Sequence, residues 1–196
     1  LTQCVTPIAD ADNAATLHDR LAQLGSELLV TTIRDYAAGK IHPQPQPHEL
    51  ATHVAKIKKE DGRLDWSLPA KQLWHRLRAF TPWPGAFTIL PHPTKPVLLK
   101  LWQADVVAQN GTPGVILSAD KNGIVVGCQE NALRLTSLQR EGGRRLERSE
   151  VTAIGEQDHP EAVGAQDAGR FVAGFAAPGA HGGRDRNAEH GGHQEP

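Results

Sequence analysis

The 196-residue chain contains no methionine and only two cysteines, Cys4 and Cys128. Two cysteines cannot build a disulfide framework, so free thiols in a reducing compartment are expected. No run of 18 apolar residues occurs, so no transmembrane helix is expected. No basic, apolar leader opens the chain, so a cytoplasmic location is the reading. Aromatic residues make up only 5% of the chain, although 39% hydrophobic residues support a modest core. Familiar catalytic spacings are also missing: G-x-S-x-G, a P-loop, H-E-x-x-H and Cys-x-x-Cys do not occur. His75 and Asp65 read better as surface residues than as an acid–base pair. His181, His190 and His193 offer ligand types without a regular element to fix their geometry. No catalytic residue, cofactor-binding residue or metal ligand is therefore assigned.

What is present is a charge asymmetry. Residues 1–146 carry 17 Lys and Arg against 13 Asp and Glu, while residues 147–196 carry 4 against 9. The window 53–80 holds Lys56, Lys58, Lys59, Arg63, Lys71, Arg76 and Arg78 against Glu60, Asp61 and Asp65. That window alone accounts for the whole excess of positive charge. Such clustering is the footprint a polyanion would need. The competing interpretation is a merely solvated face.

Hydrophobic periodicity divides the chain. Residues 1–8 alternate weakly and suggest a short strand. Asp10, Asp12 and Asn13 can cap the helix implied by Leu17, Leu21, Leu24, Leu28 and Leu29, with a kink or a division into two successive helices at Gly25 and a stop at Gly39. Residues 40–50, with three prolines in alternation, read as an extended linker. Ser67 can cap a second helix, with Pro69 in its first turn. There Ala70, Leu73, Trp74, Leu77 and Phe80 form an apolar stripe, and Lys71, His75 and Arg78 share another face. Thr81-Pro82-Trp83-Pro84-Gly85 must end it, because proline restricts its predecessor and Gly85 permits a reversal. Five strands follow, at 86–90, 97–107, 114–117, 123–128 and 132–138, separated by turn residues. This is mainly β with α: a small antiparallel barrel of the oligonucleotide-binding type, with a small sandwich as rival. Trp83 and Trp102 read as core aromatics rather than stacking platforms. From about residue 147 glycine and histidine rise, and disorder is expected.

The stretches KIKKEDGRLDW, RAFTPWPGAF, KLWQADV, GTPG and LTSLQREGGRRL, in that order, resemble the C-terminal region of methionyl-tRNA formyltransferase. The upstream TPIADADNAATLHDRLAQLGSELLVTTI is similar to the last strand and helices of that family's catalytic domain. The resemblance covers about residues 1–146. It implies transfer of a formyl group from 10-formyltetrahydrofolate to methionyl initiator tRNA in the intact family, with the C-terminal barrel and its basic approach helping to hold the tRNA. On this basis residues 1–39 are the end of the catalytic domain, 40–66 a Pro-rich and basic linker, 67–146 the barrel and 147–196 a disordered tail.

No residue here matches the Asn, His and Asp on which formyl transfer depends, so the chain alone is expected to be inactive. After GGRRL the family's short helix is not matched, and a shifted reading frame is expected to explain the change. The RNA-binding candidates are Lys56 and Lys59, which stand at lysines of the family motif, with Lys58, Arg63, Lys71 and Arg78 extending the track and Arg144 and Arg145 adding a second patch. The cations ahead of the barrel are expected to form one continuous phosphate-facing strip on a monomer, binding tRNA weakly and in a salt-dependent way. The alternatives are a nonfunctional gene remnant, the C-terminal part of a sugar-nucleotide formyltransferase, or one half of an enzyme completed by a separate N-terminal half.

Overall fold

The computed structural model describes residues 1–91 and 95–151. The expected tail from 152 onward, its histidines included, lies outside the described residues.

Helix α1 runs from Ala14 to Ala37. It starts where Asn13 can satisfy orphan amides: its side-chain oxygen accepts from Ala15 N at 2.9 Å and Thr16 N at 3.1 Å. Thr16 Oγ1 accepts in turn from Asn13 N at 3.0 Å, completing a capping box. The helix passes through Gly25 without the expected break, since an interior glycine costs a helix only about 1 kcal/mol relative to alanine. Gly39, at φ +69°, ends it as expected. Residues 1–8 do not form the expected strand. No strand among the described residues pairs with them, and an isolated extended segment gains no ladder bonds. Leu21, Leu29, Val30, Ile33 and Tyr36 remain exposed on α1.

Helix α2 spans Ala70–Ala79 and buries Ala70, Leu73 and Leu77. Its cap differs from the expectation. Ser67 is diverted, its hydroxyl donating to Asp65 Oδ1 at 2.7 Å. The α2 N-terminus is satisfied from elsewhere in the chain, with Ala70 N donating to Glu130 O at 3.0 Å. Fully burying each of its two leucines is worth about 1.5–3 kcal/mol, which fixes α2 on the sheet.

Six strands follow: β1 Ala86–Leu90, β2 Val97–Val107, β3 Ile116–Asp120, β4 Gly123–Gly127, β5 Ala132–Arg140 and β6 Arg145–Glu147. They form one antiparallel sheet in the order β1-β2-β5-β4-β3, with β6 pairing the far half of β5. The expected mainly-β antiparallel architecture is observed. Strand β3 starts later than expected because Gly114, at φ +76°, and the Val115 N to Thr112 O bond at 3.1 Å make a turn there. In β2, register shifts on either side of Gln103 leave Trp102 without a pairing partner, a bulge that bends the long strand. The core joins α2 to both halves of the sheet through Leu73, Leu77, Leu101, Leu133, Leu135 and Leu138. Cys128 lies within it as a free thiol, and burial pushes its pKa up to about 11.

The described chain remains ordered past Leu146. A short helix, α3, covers Arg148–Val151, and Val151 is fully buried against the core. Helix α3 packs against β4, β5 and β6.

Candidate nucleic-acid interface

The basic approach to the sheet is held by its backbone. Residues 59–62 form a 3₁₀ turn whose start is fixed by Asp61, its carboxylate accepting from Lys58 N at 2.7 Å. Gly62 then presses on the Pro-Trp-Pro-Gly corner: a Cβ on Gly62 would stand 2.1 Å from Gly85 O. Beyond it, Leu64 N donates to Phe87 O at 2.9 Å and Arg63 bridges Phe87 in parallel. Trp66 Nε1 donates to Thr88 Oγ1 at 3.1 Å inside the core. From α2, Arg76 reaches back to Asp61 O at 3.3 Å while its guanidinium lies 5.7 Å from the Phe80 ring centre. The turn, the corner and the end of α2 are thus one locus. The corner itself is tight, with Gly85 at φ +85° and its N–H donating to Phe80 O at 2.9 Å.

The eight candidate cations differ in what already engages them. Lys56, Lys58, Lys59 and Arg63 are exposed on the approach segment, and Lys71 is exposed on α2. The four lysines have no carboxylate partner among the described residues. Arg78 is committed elsewhere. It donates to Asp12 O at 2.6 Å and to Ala9 O, and stacks 4.2 Å from the Trp74 ring centre. It therefore clamps the N-terminal segment. Asp12, paired in turn with Arg20, is held below the ordinary aspartate range, mainly by that hydrogen bond.

Arg144 and Arg145 lie on and beside β6 and are also engaged. Arg144 bonds Glu150 at 2.6 Å, which raises the arginine and lowers the glutamate. Arg145 donates to Ser137 Oγ at 2.7 Å, pairs with Glu147 at 2.9 Å and covers Trp102 at 5.0 Å. Between these groups lies a cleft of about 260 Å³, lined by Asp10, Asp12, Trp74, Arg78, Trp102, Asp105 and Arg148 among others. Its charges of both signs offer no net attraction for phosphate.

Two features escaped the sequence reading. Arg76 belongs to the locus, holding the basic turn in place. Trp83, expected in the core, is 55% exposed. A tryptophan fixed between two prolines on an outer corner was the available signal. Trp102 is only half-buried and lies under Arg145 rather than in the core.

The profile described as formyl transferase, C-terminal domain, matches residues 56–154. Among curated proteins, the methionyl-tRNA formyltransferase of Dechloromonas aromatica is 44% identical over 160 residues, covering 81% of this chain and 48% of that protein. Its counterpart from Pseudomonas savastanoi pv. phaseolicola is 43% identical over 146 residues, covering 74% of this chain and 45% of that protein. The chain spans about half the length of the curated relatives it matches. Among solved structures, a variant of HypX from Aquifex aeolicus superposes with a TM-score of 0.55 at 19% identity, over 78% of this chain and 27% of that one. A HypX structure in complex with tetrahydrofolic acid gives 0.53 at 20% identity, over 77% and 26%. At such identity the likeness is one of fold alone.

Proposed function

This chain belongs to the formyl transferase C-terminal domain family, and we propose that it is the tRNA-holding portion of a methionyl-tRNA formyltransferase. The observation that carries this reading is the basic turn, Lys56 to Arg63, pinned by Gly62 and Arg76 against the corner that opens the sheet. Four exposed lysines have no carboxylate partner among the described residues. A phosphate backbone would neutralise them and release counterions. Such contacts position an RNA without reading its sequence. Recognition by this part is therefore of RNA shape.

The bond-making groups for formyl transfer are not assigned to this chain. The family's formyl donor, 10-formyltetrahydrofolate, does not fit the polar cleft, because Arg78 and Arg145 already cover the Trp74 and Trp102 rings that would stack a pterin. No helix among the described residues is long and apolar enough to cross a membrane. The working form is a cytoplasmic, monomeric RNA-binding part.

Filter binding of tRNA between about 50 and 200 mM salt tests this. With about four phosphates neutralised, log K falls against log salt with a slope of about −3 to −4. A flat response would remove the electrostatic basis of the reading.

A further inference from the structure

We infer that Trp83 is a stacking platform for an unpaired nucleotide of the bound RNA. The inference rests on the RNA-holding reading above and adds to it a contact that electrostatics alone would not supply.

The four tryptophans divide sharply. Trp66 is buried and hydrogen-bonded to Thr88. Trp74 and Trp102 are half-buried, and each lies under a guanidinium. Trp83 is 55% exposed, and among the described residues no hydrogen bond, ion pair or ring contact engages it. A bare indole offers a flat aromatic face on which a base can stack.

Its placement argues for a nucleic-acid base. Pro82 and Pro84 flank it, Gly85 N is bonded to Phe80 O, and Gly62 abuts Gly85 O. The backbone beneath the ring is thus fixed, so little ordering is lost when a ligand stacks. The turn carrying Lys58 and Lys59 adjoins that corner, and Arg76 ties the turn to α2. Cations beside an exposed aromatic face are the combination that holds single-stranded nucleic acid: phosphates meet the charges and a base meets the ring. A base inside a duplex cannot offer a face to the ring, because both its faces are already stacked. A protein partner could also use a surface tryptophan. The adjoining cations favour a polyanion instead.

The test uses the full chain and two RNAs with equal numbers of phosphates, one fully paired and one with an unpaired overhang. Trp83→Ala is expected to lose about tenfold or more in affinity for the overhang RNA, with little change for the paired RNA and an unchanged salt slope. Trp83→Phe, which keeps a ring, retains most of the affinity and guards against loss through misfolding. In the unaltered chain, acrylamide quenching of the emission that Trp83→Phe lacks falls when the overhang RNA binds. Equal loss on both RNAs, no loss on either, or unprotected emission would overturn the inference. A normal salt slope with a neutral Trp83→Ala would sink the stacking contact alone. A flat slope in the unaltered chain would instead sink the RNA reading beneath it.

Discussion

Two glycines show how little a residue's type says about its work. Gly62 sits where a Cβ would meet the Gly85 carbonyl, part of a backbone that cannot move aside cheaply. Gly25 sits in the middle of α1 with nothing within 4 Å. Gly62→Ala should therefore cost about 1–3 kcal/mol through overpacking. Gly25→Ala should gain about 0.5–1 kcal/mol through helix propensity. Urea titrations of both variants check this, and a neutral Gly62→Ala would show that the approach segment is not clamped to the corner. Neither role was legible in the sequence. A close approach between residues 62 and 85 exists only once the chain has turned back on itself. The same holds for Trp83, whose apolar character suggested burial until the corner placed it outside. Arg78 was legible as a cation but not as a clamp, since its carbonyl partners lie 66 and 69 positions away.

At the scale of elements, hydrophobic alternation and turn residues located β1 and β2 to the residue and the other expected strands to within a few positions. They missed β6, whose three residues are too short to show a period, and the α2 cap, which comes from a distant carbonyl. Helix α1 is joined to the sheet domain through residues 9–12 and Arg78. This makes its attachment sensitive to acid. The depressed Asp12 pKa means that its pairing contributes fully above the ordinary aspartate value and is lost as pH falls through the folded value. Below about pH 4 residues 14–37 should loosen before β4 and β5. Asp12→Asn should reproduce that loosening at neutral pH. Amide exchange resolves it: faster exchange confined to 14–37 is expected, and unchanged exchange would contradict the clamp. At the other end, Glu150 occupies Arg144. Glu150→Gln should release that cation and steepen the salt slope of tRNA binding by about one if the β6 patch faces RNA. An unchanged slope would place Arg144 outside the interface.

For the whole molecule, the charge asymmetry of the sequence becomes a division of labour. Arg78, Arg144 and Arg145 serve the fold, one holding the N-terminal segment and two dressing β6. Lys56, Lys58, Lys59 and Lys71 remain exposed on the approach and on α2. The family relationship was legible from motif order, because those motifs are the structural joints: the basic turn, the corner, the bulged strand and the β5–β6 hairpin. The grouping of the cations was not legible, because spacing along a chain does not say which charges already have partners. The most direct measurement is the salt dependence of tRNA binding by Lys56→Gln/Lys58→Gln/Lys59→Gln beside the unaltered chain. The expected slope drops from about −3 to −4 to about −1, with the fold intact. An unaltered slope in the triple variant would contradict a phosphate-binding approach segment.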